Sequence, residues 1–206
     1  NMFEIKGKLQ ILQPNGAEVW FVGDTNQIQW RPYGTFTSQV KLEYSTNAFA
    51  TEVPTVFIAT VPAGASEGTS IYNWTVPNAI GTNLKVRVTD ANNATVTDVS
   101  DSPFYVKGKL HLTTPNGSEV WTVGTSQDIA WQVTGSIANV MLEYSTNNGS
   151  TYPNMIVAAV DASTGIHPWT IPDAIGSNLK VRISDASDAT VNDISDATFT
   201  IKGALR

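Results

Sequence analysis

The chain has 206 residues, a formal net charge of -6 and no cysteine. An acidic chain without clustered Lys and Arg lacks the footprint of a nucleic-acid binder, and no apolar run approaches the roughly 18 residues that mark a membrane-spanning helix. A disulfide framework is excluded, but export is not, because a unit of about 100 residues can bury an adequate core unaided.

From the N-terminus, residues 1–8 read as the C-terminal strand of a preceding repeat or as a cloning remnant. The string Phe3-Glu-Ile-Lys-Gly-Lys-Leu9 recurs as Phe104-Tyr-Val-Lys-Gly-Lys-Leu110 and again as Phe199-Thr-Ile-Lys-Gly-Ala-Leu205. Between these junctions the spacing predicts strands at Leu9–Leu12, Val19–Val22, Gln27–Trp30, Val40–Ser45, Val56–Thr60, Ser70–Thr75, Leu84–Thr89 and Phe104–Lys107. In Val40-Lys-Leu42-Glu-Tyr44 and Leu84-Lys-Val86-Arg-Val88, apolar and polar side chains alternate, as half-buried strands require. Pro-Asn-Gly, Val-Gly and Ala-Gly-Ala punctuate the runs, and no segment carries a 3.6-residue apolar stripe.

The same series then repeats. Pro14-Asn-Gly16 with Glu18-Val-Trp20 returns as Pro115-Asn-Gly117 with Glu119-Val-Trp121, and Leu42-Glu-Tyr-Ser-Thr-Asn47 returns at Leu142 to Asn147. The expected fold is all-β: two tandem immunoglobulin-like antiparallel β-sandwich domains, end to end, over 9–108 and 109–206. Only Gly108 and Lys109 separate the predicted strands at the junction, too few for a flexible tether. A rod with a narrow range of interdomain angles is expected. The offset between copies falls from 101 residues at Trp20 and Trp30 to 95 at Trp74. Length changes belong to loops, so the stretch from Ala48 to Ser70, and its counterpart Asn148 to Gly165, reads as the variable edge.

The series Thr114-Pro-Asn-Gly-Ser-Glu-Val-Trp121, Ile129-Ala-Trp131, Val140-Met-Leu-Glu-Tyr-Ser145, Trp169-Thr-Ile-Pro172 and Asp193-Ile-Ser-Asp196 resembles the tandem Ig-like repeats of large bacterial cell-surface and secreted proteins. These are similar to the N-terminal Ig-like domain of the Ser-Thr-rich, GPI-anchored fungal cell-wall family. The resemblance implies a non-catalytic module at the cell surface or in the cell wall, often in long arrays and surface layers, and carries over no catalytic residue. Ser145-Thr-Asn147-Asn-Gly149-Ser-Thr151-Tyr152 also looks like the Asp-box hairpin of sialidases. Asn147 stands in for its Asp, and the motif reads as a turn closed by side-chain-to-backbone bonds.

Candidate chemistry is sparse. All six tryptophans belong to the repeated frame and read as core. Phe49, Phe57 and Tyr152, on the variable edge, are the candidate ligand-binding aromatics, suited to stacking on cell-wall or mucin glycans. The acidic cluster Asp185, Asp188, Asp193 and Asp196, with Asp90, Asp98 and Asp101 in the first copy, is the candidate calcium site. Calcium takes six to eight oxygens from carboxylates and carbonyls, yet no EF-hand loop is present, and the competing reading makes these residues turn caps. His111 and His167 fall outside the repeated frame, and no nucleophile turn accompanies them. The sequence therefore reads as no enzyme. It reads as a structural repeat of a long extracellular or surface-layer protein, with calcium as the one candidate ion. The expected partners are neighbouring repeats, other surface-layer subunits or cell-wall glycans. A glycan-binding module and a calcium-stiffened adhesin segment are the alternatives.

Overall fold

The structure, a computed structural model, describes residues 6–36 and 39–204. The expected stub at 1–8 lies mostly outside these residues; Lys6 and Gly7 carry no strand, and Lys8 already opens the first one. The chain divides into two compact units between Lys107 and Gly108.

Unit 1 begins with β1 (Lys8–Gln13), β2 (Val19–Phe21), β3 (Thr25–Tyr33), β4 (Gln39–Ser45) and β5 (Thr55–Pro62). It continues through β6 (Ser70–Thr75), β7 (Gly81–Asp90), β8 (Thr97–Val99) and β9 (Phe104–Lys107). One sheet has the order β1-β3-β6 and is antiparallel; the other runs β2-β9-β7-β4-β5, with β8 also on β7. β2 pairs with β9 in parallel, through Val19–Tyr105, Trp20–Val106 and Phe21–Lys107. Two sheets, with the second strand paired in parallel to the last and Greek-key connections between the rest, make an immunoglobulin-like sandwich.

Unit 2 repeats the plan with β10 (Lys109–Thr114), β11 (Val120–Thr122), β12 (Ser126–Thr134), β13 (Asn139–Ser145) and β14 (Asn154–Asp161). After one 3-10 turn at Ala162–Thr164 come β15 (Ile166–Thr170), β16 (Gly176–Asp185), β17 (Asn192–Ile194) and β18 (Phe199–Lys202). Its sheets are β10-β12-β15 and β11-β18-β16-β13-β14, with β17 on β16.

Alternation fills each sandwich. Val40, Leu42, Leu84, Val86 and Val88 are completely buried, as are Val140, Leu142, Val181 and Ile183 in unit 2. All six tryptophans are core residues. Trp20 meets Trp74 at 5.9 Å and Phe104 at 5.0 Å, and Trp121 meets Trp169 at 6.0 Å and Phe199 at 5.0 Å. Tilted and edge-on aromatic pairs of this kind add roughly 0.5–1.5 kcal/mol each beyond area burial. Trp30 and Trp131 sit apart and donate their indole N–H to Ala63 O and Ala162 O, each at 2.9 Å.

Two features differ from the sequence reading. β8 and β17 are absent from the predicted strands: each is three residues long and, unlike the equally short but apolar β2, mostly polar (Thr-Asp-Val and Asn-Asp-Ile), and is parted from the last strand by Ser-Asp-Ser-Pro or Ser-Asp-Ala-Thr. The variable edge is also narrower than expected. β5 and β14 are both eight residues long and belong to the frame. The length changes fall before them, near Thr51–Pro54, and after them, in the loop from Ala63 to Ser70.

Candidate functional site

The acidic residues divide into caps and cross-links. Asp90 accepts the N–H of Asn92, Asp185 that of Ser187 and Asp188 that of Thr190. These are Asx turns between β7 and β8 and between β16 and β17. Asp98 and Asp193 do something different. β1 is the edge of its sheet, and Ile11 N–H points off that edge. Asp98 reaches across from β8 in the opposite sheet and accepts it at 2.7 Å; Asp193 accepts Leu112 N–H at the same distance.

Around this bridge the two strongest repeated motifs lock together. The Asn15 side chain donates to Asp101 Oδ2 and accepts from Asp101 N–H, both at 2.7 Å. The Glu18 carboxylate takes the N–H groups of Asn15 and Gly16. The buried hydroxyl of Ser100 donates to Pro14 O at 2.7 Å and accepts from Val86 N–H at 3.0 Å. Gly16 has φ +144, and a Cβ there would meet Ser102 Cβ at 2.7 Å, so both conformation and space call for glycine. Asn116, Glu119, Ser195 and Asp196 repeat every one of these bonds in unit 2. Pro-Asn-Gly-x-Glu and Asp-x-Ser-Asp, separate motifs in the sequence, are thus two halves of one polar interlock. Among the described residues, no group of three or more His, Cys, Asp or Glu side chains comes together to hold a metal ion.

The variable-edge aromatics are not equivalent to one another. Tyr152 lies over the Arg182 guanidinium at 4.4 Å, and Phe49 lies over Arg87 at 4.6 Å. Arg182 in turn pairs with Glu143 at 2.7 Å, and Arg87 with Glu43 at 3.1 Å, across the same strand pair of each unit. Phe49 aligns with Gly149, not with Tyr152; the residue aligned with Tyr152 is Glu52, which pairs with Arg87 at 3.4 Å. The two copies therefore build the same arginine–aromatic stack from different positions. Steric exclusion explains the exchange, because a Cβ at Gly149 would meet the Tyr152 hydroxyl at 2.9 Å. Burial would lower the pKa of Arg87, but hydrogen bonds and charge from Glu52 and Glu43 outweigh it and raise the pKa. Burial raises the pKa of Tyr152, whose hydroxyl is enclosed without a hydrogen-bond partner among the described residues. Phe57 stands apart on β5, 59% exposed, beside Val56 and near Val53, both also exposed.

The Asp-box-like turn closes as the sequence suggests. Ser145 Oγ accepts from Asn147 N–H and Gly149 N–H, and Asn147 Oδ1 accepts from Thr151 N–H. In unit 1 Ser45 holds Asn47 and Phe49 in the same way, and Phe49 adopts φ +57 where its counterpart is glycine. The 3-10 turn is capped by Asp161, whose pKa is lowered by hydrogen bonds from the Ser163 hydroxyl and N–H. His111 is exposed and lies 3.4 Å from the Asp193 carboxylate.

No protein-family model matches the sequence, and no curated protein does. Solved structures do resemble the chain. One holds fibronectin(III)-like modules of Clostridium thermocellum CbhA, 18% identical, with 95% of each chain covered and a TM-score of 0.35. Another is the N-terminal four Ig domains of Dscam1 isoform 8.4, 10% identical, covering 98% of this chain and 48% of that one at a TM-score of 0.42. A third is the titin Z1Z2 pair in complex with telethonin, 15% identical, covering 98% and 100% at a TM-score of 0.29.

Proposed function

We propose that the chain is a non-catalytic structural segment of a longer extracellular or surface-layer protein, its two Ig-like sandwiches acting as a rigid spacer or lattice unit. The observation that carries this reading is the fate of the repeated polar motifs. Asn15, Glu18, Asp98, Ser100 and Asp101, and their five counterparts, spend their hydrogen-bonding capacity on their own unit's backbone and on each other. What the repeat preserves is architecture. The connection between units is short: β9 ends at Lys107 and β10 begins at Lys109. Gly108, the first residue of unit 2, is packed against its own unit, where a Cβ would meet Ile137 Cγ1 at 2.8 Å and Thr134 O at 2.9 Å. Small-angle scattering of the full chain should give an elongated, two-lobed particle; a compact globule would overturn the spacer reading.

A glycan-binding role is the second reading, and one observation favours it at a single place. Phe57 presents most of its ring to solvent on an edge strand, whereas Phe49 and Tyr152 are stacked on arginines. Glycan-array binding that Phe57→Ala abolishes would support it, and silence across cell-wall and mucin glycans would remove it.

A further inference from the structure

Unit 2 contains a cavity of about 460 Å³, lined by Trp131, Val133, Gly135, Ile137, Ala162 and Ser163 among others. It lies beside the C-terminal half of β12, past the point where β15 stops pairing with it at Ala130–Ile166. Trp131 N–H donates to Gly165 O on that side. Strand alternation then directs Val133 N–H and C=O to the same side, where no partner strand continues. Gly135 N–H has no hydrogen-bond partner among the described residues either.

Unit 1 shows what belongs there. Its equivalents of Val133 and Gly135 are Pro32 and Gly34, and the two glycines share one backbone conformation, φ +93 and +90. Here Pro32 C=O accepts Glu67 N–H at 2.7 Å, and Gly34 N–H donates to Ser66 Oγ at 3.0 Å. Both partners come from the longer loop between Ala63 and Ser70, so unit 1 closes the place with its own chain. Proline at 32 also removes the one donor that the loop does not meet. In unit 2 the loop is cut to a single 3-10 turn, the proline is a valine, and three backbone groups are left facing a cavity floored by Trp131 and Ile137.

We infer that this cavity is a binding site for a short polypeptide segment of another chain, carrying a Ser or Thr hydroxyl followed by a free peptide N–H. The hydroxyl accepts Gly135 N–H, and the next N–H donates to Val133 C=O, as Ser66 and Glu67 do in unit 1. A peptide carbonyl of the same segment takes Val133 N–H, and a small side chain enters beside Ile137. Backbone-to-backbone addition at an open strand edge supplies affinity, and the cavity supplies selectivity. The site does not depend on the spacer reading, which scattering tests separately.

The test is a titration of the 15N-labelled 206-residue chain with a capped peptide of the Ala63–Ser70 sequence, read by amide chemical shift. Saturable shifts confined to Val133, Gly135, Ile137 and the Trp131 indole are expected, with a dissociation constant of about a millimolar and no change at Gly34. Replacing the peptide serine that corresponds to Ser66 by alanine should weaken binding about fivefold, the value of one hydrogen bond. Val133→Pro, which copies the residue unit 1 tolerates at the same place, should weaken it as well. Exchanging Ala162–Gly165 for the unit 1 loop should abolish it. Absence of shifts at several times that concentration, shifts spread evenly over both units, or slow hydrogen exchange at Val133 and Gly135 in the free chain would each overturn the proposal.

Discussion

Asp98 Oδ2 stands 2.7 Å from the backbone nitrogen of Ile11, 87 residues earlier in the chain and in the other sheet. A carboxylate that accepts an edge N–H does two things. It ties the sheets together where no strand does, and it occupies a donor through which another chain could pair with β1. Hydrogen bonds to a charged group are worth about 1.5–3 kcal/mol. Asp98→Ala should therefore cost unit 1 about 2 kcal/mol, and Asp193→Ala the same in unit 2. Calorimetry would read this as a fall of roughly 10 °C in the affected unit, with faster hydrogen exchange at Ile11 or Leu112. A loss below about 0.5 kcal/mol would reduce the bridge to an ornament of the fold.

Tyr152 offers the opposite sign. Its enclosed hydroxyl has no hydrogen-bond partner among the described residues, and a buried unsatisfied polar group costs about 1–3 kcal/mol. Phe49 fills the same role in unit 1 without one. Tyr152→Phe should stabilise unit 2 by about 1 kcal/mol and keep the stack on Arg182. Burial raises the folded pKa of Tyr152 above the ordinary tyrosine value of 10.0. Its contribution is intact below pH 10.0 and drains away as pH climbs through the higher folded value, because the unfolded chain gives up the proton first. In an alkaline titration the wild-type chain should lose stability more steeply than Tyr152→Phe. Tyr44, raised in the same way, stays in both and leaves a residual slope. Equal slopes would count against the burial argument.

The exchange between positions 49/52 and 149/152 should behave as a coupled pair. Gly149→Phe alone forces a bulky residue to φ +82 and onto the Tyr152 hydroxyl, and should cost about 2 kcal/mol. Adding Tyr152→Glu, which reproduces unit 1, should recover about half of that. A double-mutant cycle by urea denaturation measures the coupling, expected at about 1 kcal/mol. Additivity within error would mean that the two stacks are unrelated accidents.

Much of the fold was legible because its signals are local. Period-two alternation marks the long strands Val40–Ser45 and Leu84–Thr89, and turn residues mark where they end. β8 and β17 escaped because three mostly polar residues carry neither a period nor the apolar side chains that gave β2 away. Their defining contact, from Asp98 to Ile11, spans most of a domain. The candidate residues show the same divide. The cap role of Asp90, Asp185 and Asp188 is written in neighbouring residues, whereas the interlock of Asn15 with Asp101 exists only after folding. Phe49 and Tyr152 looked like free aromatics of a variable edge because their common partner, arginine, sits on β7 and β16, far off in sequence. The cavity beside Val133 left one trace, the shortened loop, and comparison of Pro32 with Val133 was needed to give it meaning.

Chelation addresses the calcium alternative directly. Each of the seven aspartates accepts a hydrogen bond from a backbone N–H or an Asn side chain of its own unit. The melting temperature should accordingly be unchanged by EDTA and by added calcium. A fall on chelation that calcium reverses would restore the calcium-stiffened adhesin.

The parallel pairing of β2 with β9 governs how a unit responds to being pulled. These strands lie near the entry and exit of the chain and run the same way. Tension drags them in opposite directions along their shared axis. The bonds at Val19–Tyr105, Trp20–Val106 and Phe21–Lys107, with Ala17 N–H to Pro103 O and Val22 N–H to Lys107 O, are then loaded together in shear. Hairpin strands pulled from one end peel apart a bond at a time, and this pair cannot. A domain wired in this way resists extension until the whole patch yields at once.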